Sequence, residues 1–80
     1  MSAYYFYLAR CKDNTLYAGY CANLQNREAK HNKGEGAKYT KSRRPIQIVY
    51  FEEFDTRSEA MKREAEIKTW SRLEKEKLIQ

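Results

Sequence analysis

An α+β domain is predicted for this chain, with a small three-stranded antiparallel sheet flanked by helices in the order ββαβαα. Three features of the sequence carry that reading. Two aromatic-rich stretches are split by four polar residues, a polar stretch without helix breakers runs up to Gly34, and the pattern Ser/Thr-x-x-Glu occurs twice in the last third of the chain. Locally these mean a hairpin, a helix with its stop, and two helix starts.

Residues 4–11 and 16–22 form the hairpin, and Asn14 within Lys12-Asp13-Asn14-Thr15 is the residue expected to take unusual backbone geometry. If Lys12 and Leu16 close the turn, Cys21 falls opposite Tyr7 and Cys11 opposite Tyr17. Loop parity has a chemical consequence. An odd, three-residue loop puts Tyr7 and Tyr17 on one face, whereas a loop of two or four residues separates them.

Asn23 suits an N-cap, which predicts a helix from about 24 to 32 whose only apolar residues are Leu24 and Ala29. Most of so polar a helix is expected to face water or a ligand. From Lys33 to Pro45 the hydrophobic period is lost, and Lys33, Lys38, Lys41, Arg43 and Arg44 stand against the single acid Glu35, which reads as a basic surface loop. Ile46 to Phe54 supplies a third strand, and its partly continuous apolar run predicts a central or well-covered position. Thr56-Arg57-Ser58-Glu59 opens a helix to about Trp70, and Ser71-Arg72-Leu73-Glu74 opens a final short one.

Eighty residues allow one domain over 1–80 with a thin core. The start, Met1-Ser2-Ala3, lacks the basic region and apolar stretch of a leader, and no run is long enough to span a bilayer, so a cytoplasmic protein without a membrane partner is expected. Cys11 and Cys21 have neither CxxC spacing nor a histidine at ligand distance along the chain, and read as buried thiols. With 16 Lys and Arg against 11 Asp and Glu, the net charge of +5 favours a polyanionic partner. Charge attracts without reading bases.

Several side chains carry candidate chemistry, each against a plainer role. Tyr4, Phe6 and Tyr20 read as cross-strand packing. Tyr7 and Tyr17 share that default, but Gly19, two residues after Tyr17, leaves their face open to a ligand or another backbone. Arg27 and His31, at i and i+4, project from one helix face; solvated surface is the default, against a phosphate-gripping guanidinium beside a proton-moving imidazole. Glu64 falls between Ala60 and Ile67 on the apolar stripe of its helix, where its charge needs a cation, a metal ion or a proton; an i, i+4 pair with Lys68 is the plain alternative. Lys38, Lys41, Arg43 and Arg44 with Tyr39 match a backbone-tracking surface with one stacking ring. Trp70, Ile67 and Leu73 are expected to seal the core.

Together these residues resemble the GIY-YIG nuclease domain family over nearly the whole chain, and especially its small stand-alone members related to the nuclease subunit of structure-specific DNA endonucleases. The first family motif corresponds to Tyr5-Phe6-Tyr7, with Tyr5 and Phe6 in place of glycine and isoleucine. The second corresponds to Tyr17-Ala18-Gly19, with Ala18 in place of isoleucine. The family arginine falls on Arg27, the next histidine or tyrosine on His31 and the metal-binding glutamate on Glu64. The stretches Lys33 to Thr40, Arg43-Arg44-Pro45 and Arg63 to Lys68 are similar to this branch in particular.

The resemblance implies a metal-dependent endonuclease, with Mg²⁺ or Mn²⁺ at Glu64 and DNA as partner, branched or structured forms and RNA being open. It implies that Tyr7 activates the attacking water with help from His31 or Tyr17, and that Arg27 offsets charge growing on the phosphate. A phenol with an ordinary pKa of about 10 is a weak base at neutral pH, so its neighbours must assist. The alternative is a nucleic-acid-binding module that uses the basic loop and the same cleft with little or no cleavage.

Overall fold

The computed structural model describes residues 3–80; Met1 and Ser2, part of the amino-terminal stretch read above for a leader, lie outside the described residues. Strands β1 (Tyr4–Arg10), β2 (Leu16–Cys21) and β3 (Gln47–Phe54) form one antiparallel sheet in the order β2-β1-β3. Helices α1 (Leu24–Asn32) and α2 (Lys38–Lys41) lie between β2 and β3, and α3 (Arg57–Lys68) and α4 (Arg72–Ile79) follow. The order ββαβαα therefore holds, with one added turn of helix, α2, inside the segment expected to be loop.

The hairpin turns one residue earlier than expected. The Cys11 amide bonds to the Thr15 carbonyl and the Asn14 amide to the Cys11 carbonyl, each at 2.9 Å, so the loop is 12–14 and Asn14 takes φ 70° at its end. This is the three-residue loop in which a left-handed third residue carries the bulge, and it fixes closure at Cys11 and Thr15 rather than Lys12 and Leu16. Cys21 consequently pairs with Tyr5, Gly19 with Tyr7, and Tyr17 with Ala9. Because the loop is odd, Tyr7 and Tyr17 share a face.

β1, not β3, is the central strand, and Phe6 to Ala9 on it are fully buried. The apolar run that suggested a covered β3 arises from a bulge: Leu8 pairs with Tyr50 and Ala9 with Ile48, which leaves Val49 as an extra residue. β3 is an edge strand on which Phe51 remains 54% exposed.

The two sheet faces carry separate cores. Tyr7, Ala9, Cys11, Cys21 and Ile46 pack with Leu24 of α1 on one face. Phe6, Leu8, Ala18 and Ile67 pack with Trp70, Leu78 and Ile79 on the other. Both cysteines are buried free thiols, and burial raises the pKa of each. Leu73 departs from expectation: it is 67% exposed, because α4 turns Leu78 and Ile79 inward instead.

Polar fasteners hold the helices. Asn23 caps α1 through the Asn26 amide at 2.9 Å, and capping boxes at Thr56 and Ser71 open α3 and α4. Arg10 meets Glu76 of α4 through Nη1 and Nη2 at 2.6 and 2.8 Å, and Arg63 meets Glu52 through Nε and Nη2 at 2.8 and 3.0 Å. Among the described residues no helix is long and apolar enough to cross a membrane.

Candidate active site

A cleft of about 410 Å³ opens beside the edge strand β2 and collects side chains from both layers of helices. Tyr4 and Tyr7 come from β1, Tyr17, Gly19 and Tyr20 from β2, Arg27 from α1, and Arg57 and Glu64 from α3. Helices on opposite sheet faces can meet here because β2 has no outer neighbour.

Tyr7 is fully buried, and room for its ring is made at Gly19: a Cβ there would stand 2.6 Å from Oη and 2.7 Å from Cζ. The missing side chain thus admits the phenol of this chain's own Tyr7, and Gly19 itself lines the cleft beside it. Tyr17 is half-buried beside it, with ring centroids 6.4 Å apart. Burial pushes the Tyr7 phenol well above its ordinary range; the neighbouring Tyr17 adds to the effect and the Arg27 guanidinium offsets part of it.

His31 is the largest departure from the surface-residue default. Only 1% exposed, it accepts or donates at both ring nitrogens: Nε2 lies 2.8 Å from Tyr7 Oη and Nδ1 lies 2.8 Å from Thr40 Oγ1. The face of α1 expected to meet water therefore meets the sheet through polar groups. Glu28, one turn away, accepts the bulge-side amide of Ile48 at 2.8 Å. Burial lowers the His31 pKa, and Arg27 and Lys30 lower it further, so the ring is neutral at pH 7.

Glu64 has both the place on the buried stripe and the Lys68 partner that its spacing suggested. Its helix neighbours Ala60 and Ile67 are fully buried, and the carboxylate, 19% exposed, lines the cleft. It also pairs with Lys68 at 3.6 Å, a contact whose half-exposed lysine makes it weak and easily exchanged. Among the described residues no three His, Cys, Asp or Glu side chains gather as a metal cage.

The basic segment divides into two pairs. Arg43 bonds to Asp13 at 3.0 Å and to the Tyr39 carbonyl at 2.8 Å, and Arg44 bonds to the carbonyls of Lys41 and Asn32 at 2.8 and 3.3 Å. Lys38 and Lys41 are exposed and form no ion pair among the described residues. Tyr39 is not an open platform. It stacks on Tyr17 at 5.9 Å, and the Arg43 guanidinium carbon sits 4.0 Å from its centroid.

Sequence reasoning missed four contributors. Tyr4 and Tyr20 were expected only to pack, yet they line the cleft. Arg57, the first residue of α3, reaches Tyr20 Oη at 3.2 Å at the same opening. The capping box fixed Arg57 in the first helical turn, but not the cleft it would face. Thr40, buried behind His31, lay within the stretch similar to the family branch but was not singled out as a site residue.

A profile of the GIY-YIG catalytic domain matches residues 3–77. The chain is 60% identical over 79 residues to a UPF0213 protein of Staphylococcus saprophyticus, covering 99% of this chain and 96% of that one. A UPF0213 protein of Pediococcus pentosaceus is 53% identical over 79 residues, covering 99% and 83%. Two solution NMR structures are similar, each covering 96% of this chain and 82% of the other. A UPF0213 protein from Bacillus halodurans is 42% identical with a TM-score of 0.61, and a protein from E. faecalis is 43% identical with a TM-score of 0.64.

Proposed function

Because the chain belongs to the GIY-YIG family of catalytic domains, and with it to a nuclease-like, nucleic-acid-binding class, we propose that it is a divalent-metal-dependent endonuclease acting on DNA. The observation supporting this reading is that residues 7, 17, 27 and 64, separated by up to 57 positions, line one cleft.

Glu64 gives that cleft a single hard oxygen donor. This suits Mg²⁺ or Mn²⁺, since Mg²⁺ keeps several of its waters and takes one or two carboxylates together with substrate phosphate; it does not suit an all-protein cage. When bound, such an ion supplies Lewis-acid polarisation of the phosphate and neutralises charge on the leaving 3′ oxygen.

The chain's own groups have separable tasks. Arg27 offers a planar fork of donors to the phosphoryl oxygens and meets charge that grows in the transition state. Arg57, at the same opening, is a second cation for the DNA backbone. Tyr7 is the phenol hydrogen-bonded to an imidazole, at 2.8 Å from His31 Nε2, so it is assigned the base. Tyr17, the more exposed of the two, orients the water. Tyr7 has no exposed surface, so water reaches it only after a small displacement of the cleft lining on binding.

The test is cleavage of branched and linear DNAs with and without Mg²⁺ or Mn²⁺ by the wild type, Arg27→Ala and Glu64→Gln, with circular dichroism as the folding control. Losses of about 10²–10³-fold are expected for each variant. Turnover undiminished in Glu64→Gln removes the metal assignment. Salt-sensitive DNA binding without cleavage by the wild type replaces the enzyme with a binding module.

A further inference from the structure

We propose that Thr40 is a positioning residue for this cleft, holding the proton of His31 on Nδ1 so that Nε2 is left as the acceptor for the hydroxyl proton of Tyr7. Three short contacts form a chain: Tyr7 Oη to Nε2 at 2.8 Å, Nδ1 to Thr40 Oγ1 at 2.8 Å, and Oγ1 to the Ala37 carbonyl at 2.9 Å. Every member has a definite set of hydrogens to give. The carbonyl oxygen can only accept, so the single Thr40 hydroxyl hydrogen lies between the two oxygens. Oγ1 must then accept from Nδ1–H, and a neutral ring protonated at Nδ1 presents a lone pair at Nε2.

The opposite tautomer has one contact in its favour: the Ala37 amide is 3.4 Å from Nδ1 and could donate to it. In that arrangement the Thr40 hydroxyl would also turn to Nδ1. Two oxygens would then face each other at 2.9 Å with no hydrogen between them. Giving up one long bond costs less than that repulsion.

The surroundings are built to keep the ring in place. A Cβ at Gly36 would lie 2.1 Å from Nδ1, so the segment before α2 closes on the imidazole as tightly as a glycine permits. Thr40 itself has no exposed surface. Tyr7 and Tyr17 from the sheet, and Arg27 and Lys30 from α1, are the titratable groups around the ring. The turn of helix inside the basic segment thus serves the cleft from behind, by carrying Thr40.

The chemical role rests on the endonuclease reading; the hydrogen-bond chain does not. As water attacks phosphorus, one of its protons passes to Tyr7 Oη while the Tyr7 proton passes to Nε2. Water supplies the oxygen of the new P–O bond, the 3′ P–O bond breaks, and His31 becomes an imidazolium whose Nδ1–H stays on Thr40. The leaving 3′ oxygen takes a proton from solvent, and the imidazolium returns its extra proton to solvent before the next turnover.

Imidazole ¹⁵N–¹H NMR on the free protein reads the tautomer without DNA or metal. The wild type is expected to carry its His31 proton on Nδ1. In Thr40→Val the Ala37 amide becomes the only donor or acceptor left at Nδ1, so the proton is expected on Nε2; Thr40→Ser restores Nδ1–H. In cleavage assays kcat falls about 10²-fold in Thr40→Val with KM little changed, and Thr40→Ser recovers it. A wild-type proton on Nε2 overturns the inference whether or not DNA is cut, and so does a Thr40→Val protein that keeps Nδ1–H. Should Thr40→Val not fold, the wild-type and Thr40→Ser spectra decide. Nδ1–H in a wild type that cuts no DNA overturns the endonuclease reading and leaves the hydrogen-bond chain standing.

Discussion

Replacing Gly36 by alanine is expected to destabilise the protein by about 2–4 kcal/mol, although Gly36 is an exposed residue in a loop. An added Cβ would stand 2.1 Å from His31 Nδ1 and 2.7 Å from Cε1 and Cγ. The ring has nowhere to go, since it is 1% exposed and bonded at 2.8 Å on both sides. Overpacking of this kind costs roughly 1–3 kcal/mol, and giving up one buried hydrogen bond adds about 1. Where no such obstacle exists, glycine to alanine at a compatible backbone angle stabilises by about 0.4–1 kcal/mol through the unfolded chain. The expected sign is therefore opposite to that of an ordinary loop substitution. For a domain of this size roughly 1 kcal/mol moves the melting temperature by about 4–8 °C, so the loss is readily measured by urea or thermal unfolding. The same substitution in a His31→Ala background should be nearly neutral, because the obstructing ring is gone. A Gly36→Ala protein within about 0.5 kcal/mol of wild type would refute the packing argument, and so would an equal loss in both backgrounds.

The His31 environment also sets a pH dependence. Its folded pKa lies below the ordinary 6.5, so below that value the unfolded chain binds a proton that the folded one refuses. Stability is full above 6.5 and is lost as pH falls through it towards the lowered folded value. Urea midpoints from about pH 7.5 down to about 5.5 should drop in the wild type and drop less in His31→Gln; equal slopes would dismiss His31 as the cause. For the basic segment, Lys38→Ala with Lys41→Ala should leave the melting temperature unchanged while reducing the salt dependence of DNA binding, by about 0.9 in log–log slope for each phosphate that is no longer neutralised. Arg43→Ala and Arg44→Ala should instead lower the melting temperature, because those side chains tie the segment to Asp13, Tyr39, Lys41 and Asn32. If the lysine pair proves structural and the arginine pair silent, this division is wrong.

Helix α1 and the two capping boxes were legible because their signals lie within three or four residues: Asn23 reaches Asn26, Thr56 reaches Glu59, and Ser71 reaches Glu74. The hairpin was legible but its loop parity was not: only the backbone bonds that close the loop at Cys11 and Thr15 make it odd and put Tyr7 and Tyr17 on one face. Glu64 stood out because a charge on an apolar stripe is visible in a helical wheel. The strand order was not legible. An apolar run such as Ile48-Val49-Tyr50-Phe51 looks the same whether it is covered on both faces or interrupted by a bulge on an edge strand.

By itself, then, the sequence determined the three strands and every helix but α2, the basic balance of charge and the residue types able to handle a phosphodiester. Tertiary structure alone decided that His31 is enclosed rather than solvated, that Thr40 and Gly36 hold it, and that Arg57 opens onto the same cleft as Arg27. The reason is one of range. Turns and caps form between neighbours along the backbone, whereas the partner of a buried polar group is chosen by packing between segments that the sequence keeps far apart.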